Sequence, residues 1–203
     1  MSEQRLSGFG SDVVQLLLPH RRPFLMVDRV ESWRLEPSAA LRASRLVSAN
    51  EPVFEGHFPG WSLWPGVYTI EGMGQASMVL AVLKRLCEAA LADGVSVEDV
   101  SAAVQNLDRG YHLRPGHRPG QSDRLLAAIG TPGSRIGMAS TLDVKLLHPV
   151  FAGQRLDYRV ALTHDTGNVM RFEVEAAVDD IPVACGTLGS AFGTMASSLP
   201  RER

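Results

Sequence analysis

Residues 54–75, FEGHFPGWSLWPGVYTIEGMGQ, place one ionisable base and one ionisable acid among apolar and small residues. His57 sits between Gly56 and Phe58-Pro59-Gly60, and Glu71 follows Pro65-Gly66. A neutral imidazole, with an ordinary pKa of about 6.5, is a natural general base. A carboxyl shielded from water keeps its proton and can serve as a general acid. Together they suit removal of a proton beside a carbonyl, with loss of a hydroxyl one carbon further on. Gly66 adds a third part. A backbone N–H at a helix N-terminus, with no side chain in the way, can hold a developing enolate oxygen. Taken one at a time, the same residues also fit a turn histidine and a solvated helix glutamate.

These groups need a helix to carry them. Residues 65–92 give the longest helical pattern in the chain: Val67, Ile70, Gly74, Met78, Ala81 and Val82 keep helical spacing. Pro65 suits the first turn and Asp93-Gly94 supplies a stop. The helix is apolar around much of its circumference, which predicts burial, with Glu71 on the face of Val67, Ile70 and Gly74. A short helix is expected at 11–18, capped by Ser11 or Asp12. Residues 24–35 read as a strand, and 38–48 as its hairpin partner across Glu36-Pro37-Ser38, although SAALRAS could also be helical. The C-terminal part alternates as β: QRLDYRVALTH, RFEVEAAV and IPVACGTLGSAFG form an antiparallel meander with turns at Asp165–Asn168 and Asp179-Asp180, and STLDVKLL alternates before it. A sheet curled round one greasy helix is an α+β arrangement. Residues 93–135 read as loop and are long for a connection.

Bulk properties narrow the function classes. The 203 residues are 45% hydrophobic and 21% charged, enough for one sizeable core. A formal net charge of −2 gives no global field for nucleic acid or anionic lipid. Two cysteines, Cys87 and Cys185, stand outside any motif, which argues against a disulfide scaffold or zinc knuckle and fits a reducing compartment. The start of the chain lacks a signal-peptide pattern, and no apolar run reaches about 18 residues. The expectation is a cytoplasmic protein with no membrane span.

Several linked stretches carry a resemblance. GHFPG, PGV and the helical ExMxQA, with LPHRRPFLMVDRV at 18–30, NEPVFEGHFP at 50–59 and VKLLHPVFAGQRL at 144–156, resemble the (3R)-3-hydroxyacyl-acyl carrier protein dehydratases of the FabZ type. The match covers about residues 16–90 and 138–192. It implies a hotdog fold, an antiparallel sheet wrapped around one long central helix, as a single domain over residues 1–203 with an unusual insertion at about 93–135. It implies a hydro-lyase acting on thioesters of acyl carrier protein, in fatty-acid or specialised polyketide or polyene synthesis. His57 would take the α-proton, Glu71 would protonate the departing hydroxyl, and the Gly66 N–H would hold the thioester oxygen. Gln75 would support the Glu71 carboxyl or act as a buried hydrogen-bonding filler. Phe58, Pro59, Trp64 and Val67 would line the acyl tunnel. The family's sites draw His and Glu from different protomers, so a homodimer is implied, often as a trimer of dimers. No metal or organic cofactor is implied. The carrier protein is acidic and bears its substrate on a phosphopantetheine arm; Arg21, Arg22, Lys84, Arg85, Arg109, Arg114 and Arg118 are candidates for a basic rim.

The chain also departs from that pattern. Trp61-Ser62-Leu63-Trp64 follows GHFPG, where two indoles could narrow the tunnel or pack at an interface; Ala152 and Gln154 replace a Pro and an Asp. His112 and His117, in the insertion, lack the spacing of a metal site and read as loop histidines. The insertion could be a lid, an interface arm or unstructured. Two other functions fit a hotdog: an acyl thioesterase, and a non-catalytic subunit that binds carrier protein or an active companion.

Overall fold

The computed structural model describes residues 5–112 and 136–193. Nine strands and four helices follow in chain order among them. They are β1 (Leu6–Phe9), α1 (Ser11–Leu17), β2 (Arg29–Arg34), β3 (Ala40–Leu46), β4 (Leu63–Trp64), α2 (Gly66–Ala92), α3 (Val97–Asn106), α4 (Arg109–His112), β5 (Ile136–Leu146), β6 (Val150–Phe151), β7 (Arg155–Asp165), β8 (Val169–Val178) and β9 (Ile181–Gly193). Seven strands form one antiparallel sheet in the order β1-β2-β3-β7-β8-β9-β5; β4 and β6 pair separately.

The alternation read from the C-terminal strands sets this sheet's inner face. Leu156, Tyr158 and Val160 on β7, and Met170, Phe172 and Val174 on β8, are buried. They meet α2, which packs on β3, β7 and β8 and buries Met73, Leu80 and Leu83 completely. Each fully buried side chain of this size contributes about 2 kcal/mol, while a glycine inside a helix costs about 1 kcal/mol. Tertiary cover therefore outweighs the propensity lost at Gly72 and Gly74. Gly72 is fixed by proximity: a Cβ there would lie 2.2 Å from the Tyr158 hydroxyl oxygen. The hairpin at β2–β3 forms, with Arg34 opposite Ala40, and ALRAS is strand rather than helix; the strand expected from residue 24 begins only at Arg29. Between β8 and β9, Asp179 and Asp180 take φ of 50° and 62°, backbone angles that aspartate tolerates and two-residue hairpin turns require.

Two expectations give way. Gly10, rather than Ser11 or Asp12, caps α1. The Asp12 carboxylate is used elsewhere, accepting from Val13 N and, across the fold, from Arg109 N at 2.8 Å. The first part of the 93–135 segment is not loop: it forms α3 and α4, and the remainder lies outside the described residues. Ser96 caps α3, its Oγ accepting from Asp99 N at 3.1 Å, while Val100 and Val104 are buried. Asp108 then ties the segment to the chain's start by accepting from Gly10 N at 2.8 Å.

Candidate active site

The chain approaches His57 through a short 3-10 turn, Pro52–Glu55. Val53 O accepts from His57 N at 2.9 Å, and Phe58 and Trp61 exchange two backbone bonds of 2.8 Å that close the Phe58-Pro59-Gly60-Trp61 turn. Below it, a charged cluster fixes the approach. Arg45, whose side chain is 11% exposed, pairs with Asp28 at 2.7 Å and with Glu51 at the entry to the turn. Its guanidinium also lies 5.9 Å from the centre of the Trp64 ring.

The His57 ring is oriented by its own chain. Nδ1 lies 2.9 Å from Leu63 O. A carbonyl can only accept, so Nδ1 carries hydrogen, and in the neutral ring Nε2 keeps its lone pair. That is the tautomer a general base needs. The ring is half-buried and stacks on Phe58 with centroids 4.2 Å apart.

His57 opens onto a cavity of about 280 Å³ that Gly66 also lines. Leu63, Trp64, Leu146 and Val183 make much of its apolar wall. Gly66 is the first residue of α2 after the cap Pro65, so its N–H lacks an acceptor within the helix and lies at the positive end of the dipole. A Cβ at this position would come within 2.4 Å of Leu146 Cδ1. The imidazole and the N–H thus line the same cavity.

Glu71 stands apart from them. It lies one turn further along α2 and does not line that cavity. Gln75 Nε2 donates to Glu71 Oε1 at 2.9 Å. The same nitrogen donates to Phe24 O at 2.7 Å, and Gln75 Oε1 accepts from Met26 N at 2.8 Å. Gln75 is 1% exposed, a buried amide that is also hydrogen-bonded to the Glu71 carboxyl. The expected burial of the helix face is not met within one chain. Glu71 is 30% exposed, Val67 is 65% exposed, and a Cβ on Gly74 would meet nothing within 4 Å.

The remaining tunnel residues divide. Trp64 is 2% exposed and borders the cavity. Phe58, Pro59 and Val67 are exposed and lie outside its lining. The two indoles do not act as a pair: Trp61 stands in solvent against Phe151, and Trp64 packs edge-on to Phe54 and Tyr68. The proposed basic rim is partly committed. Lys84 and Arg85 both pair with Glu88 and Asp165. Burial alone would push the Asp165 carboxyl up, but the Gly167 N–H and those two cations hold it below the usual carboxylate range. Arg21 donates to the carbonyls of Leu18 and His20; Arg114, Arg118 and His117 lie outside the described residues. Two histidines escaped the sequence reading. His148 lines the cavity with His57, and His20 Nε2 lies 3.5 Å from Glu71 Oε1. His20 stood in plain view in the LPHRRPF stretch, but only the fold brings it to the helix.

A FabA-like domain model matches residues 18–105. A 3-hydroxyacyl-acyl-carrier-protein dehydratase FabZ of Campylobacter concisus is 33% identical over 168 residues, covering 83% of this chain and 86% of that protein. The chain belongs to the FabZ dehydratase family. A FabZ of Nitratiruptor is 57% identical over 70 residues, 34% of this chain and 46% of its own. Among solved structures, the dehydratase heterocomplex ApeI:P from Xenorhabdus doucetiae aligns with a TM-score of 0.55 at 16% identity, over 90% of this chain and 92% of that one. That likeness shows the fold, an α+β hotdog with its sheet around α2. The residues matched by the family model contain His57, Gly66, Glu71 and Gln75, while Leu146, His148 and Val183 of the cavity wall lie outside them.

Proposed function

We propose that the chain is a hydro-lyase that reversibly dehydrates 3-hydroxyacyl thioesters on acyl carrier protein to trans-2-enoyl thioesters. One observation carries the reading: a histidine with Nε2 free and a helix N-terminal N–H share a single apolar cavity. The thioester oxygen accepts from Gly66 N–H, which stabilises charge as it develops there. His57 Nε2 takes the C2 proton, and the electrons of that bond become the C2=C3 double bond. The C3–O bond breaks, and the hydroxyl takes the Glu71 proton and leaves as water. Proton return from the imidazolium to the carboxylate resets the site, and hydration runs the same steps in reverse.

His57 and Glu71 open onto different surroundings in one chain, so Glu71 is supplied to this cavity by a second copy. Three features support that assembly. Met138, Leu142 and Leu146 recur every four residues along the sheet-edge strand β5, and each is more than half exposed. Leu146 also lines the His57 cavity, so covering the edge would complete its wall. Val67, Glu71 and Gly74 leave one side of α2 uncovered. The chain acts as one hotdog domain, with α3, which packs on β1 and α2, and α4, tied to α1 through Arg109 N and Asp12, belonging to an insertion. Among the described residues no helix is long and apolar enough to cross a membrane.

The test is mass spectrometry of a panel of 3-hydroxyacyl-carrier-protein substrates incubated with the purified chain. Loss of one water from the acyl group, with a rise in enoyl-thioester absorbance, is expected. Release of free carrier-protein thiol instead would identify a thioesterase. Inertness across all chain lengths, relieved by a second protein, would identify a non-catalytic subunit.

A further inference from the structure

The structure assigns a role to His20 that rests on the reading of Glu71 as general acid: we propose that His20 is a positioning residue, pressing an N–H toward Glu71 Oε1 so that the acid proton resides on Oε2. The argument starts from Gln75. Its Oε1 accepts from Met26 N, so its Nε2 is a donor beyond ambiguity, and one of its two hydrogens goes to Glu71 Oε1. That oxygen is therefore an acceptor. His20 Nε2 approaches the same oxygen, at 3.5 Å. Beside the ionised carboxylate a bare nitrogen lone pair would be repulsive, so the ring turns an N–H toward Oε1. With the Gln75 N–H bonded to Oε1 and the His20 N–H facing it at 3.5 Å, a proton on the carboxyl is favoured on Oε2. When the proton leaves, the same two groups stabilise the carboxylate.

The ring is held for this. Arg21 Nη1 donates to His20 O at 2.7 Å and to Leu18 O at 2.9 Å, which pins the backbone on both sides. Phe24 lies 6.1 Å from the ring, and the buried Nδ1 has no hydrogen-bond partner among the described residues. Only Nε2 is engaged, and it faces the acid. The stretch from His20 to Met26 thus supplies the imidazole, the Phe24 carbonyl and the Met26 N–H that together define the Glu71–Gln75 pair.

Three variants separate this role from packing. A glutamine amide nitrogen reaches the position of Nε2, an asparagine amide nitrogen that of Nδ1. His20→Ala and His20→Asn should lower kcat about tenfold with KM changed less than about twofold, while His20→Gln keeps at least about a third of kcat. In a Glu71→Gln background, adding His20→Ala should cost less than about twofold, because the group it acts through is gone. The proposal falls if His20→Gln is as poor as His20→Ala, if His20→Ala matches the parent, or if the tenfold loss persists beside Glu71→Gln. Near-normal turnover of Glu71→Gln alone would instead overturn the reading of Glu71 as the acid. Circular dichroism and thermal midpoints confirm that each variant is folded.

Discussion

Gln75 Nε2 lies 2.9 Å from Glu71 Oε1, and the amide can face only one way. Flipping it would set its oxygen against the Phe24 carbonyl and its nitrogen against the Met26 N–H. The loop from residue 24 to 26 thereby dictates, through one buried side chain, which oxygen of the acid is free.

Gln75→Leu would strand the Met26 N–H and the Phe24 carbonyl in a buried setting. Each unpaired group costs about 1–3 kcal/mol, so stability should fall by about 2–4 kcal/mol in urea denaturation, the bonds lost outweighing the apolar gain. Turnover of the folded fraction should fall about tenfold or more, because the carboxyl loses its fixed neighbour. Loss of stability with unchanged turnover would reduce Gln75 to a filler.

Tyr158 is completely buried, and its hydroxyl has no hydrogen-bond partner among the described residues. Burial pushes its phenol well above the ordinary range. Tyr158→Phe should therefore be neutral or stabilising by up to about 1 kcal/mol. Gly72→Ala would drive a methyl into that hydroxyl and should cost about 1–3 kcal/mol. The pair should couple: Gly72→Ala becomes cheaper beside Tyr158→Phe, which removes the oxygen it meets. Thermal denaturation of the four proteins checks the cycle, and strict additivity would refute the contact.

Which parts of this were legible follows from what sequence patterns encode. Period-two alternation over 155–178 marked β7 and β8 because one side of each strand faces the helix and the other does not. His57 and Gly66 could be named from their chemistry and the resemblance, but that both line one cavity is a property of the fold. The burial of Glu71 was misjudged, because a helical stripe such as Val67, Ile70 and Gly74 looks the same whether the chain's own core or a second copy covers it. Phe58, Pro59 and Val67 were expected in the tunnel from the resemblance, which carries no direction for their side chains in a single chain. The helix at 97–106 does have a legible start, since Ser96-Val97-Glu98-Asp99 is a capping pattern and Val100 and Val104 keep helical spacing, but it is short and followed by a Gly- and Pro-rich run with loop character. His20 could not be found, since it lies 51 residues from Glu71 and only folding relates them.

Cys87 is fully buried on α2, and burial pushes its thiol from 9.0 up to about 12, with Glu88 and Glu98 adding to the shift. A thiol reagent should therefore label Cys185, which is half-buried, and reach Cys87 only on unfolding. The linkage sign is fixed. The folded state holds this proton more tightly, so the contribution is fully present below pH 9.0 and is lost as pH rises toward about 12. Cys87→Ala should flatten that alkaline decline while costing some stability at neutral pH. Equal labelling of both thiols in the native protein would contradict the burial.

The sharpest prediction concerns subunit mixing. His57→Ala and Glu71→Gln should each lower turnover by roughly 10²–10⁴-fold, about 3–5 kcal/mol, with the fold retained. If each site takes His57 from one copy and Glu71 from another, an equimolar mixture refolded together recovers activity. Half of the dimers are then mixed, and each mixed dimer rebuilds one complete site while the other loses both groups. About a quarter of the parent's sites should return, measured as enoyl-thioester formation per chain. A site contained within one chain would leave every copy defective and recover nothing. The exposed Leu142 on the sheet edge gives an independent handle: Leu142→Asp should weaken self-association in sedimentation and lower turnover in proportion, because it places a charge where apolar surface awaits cover.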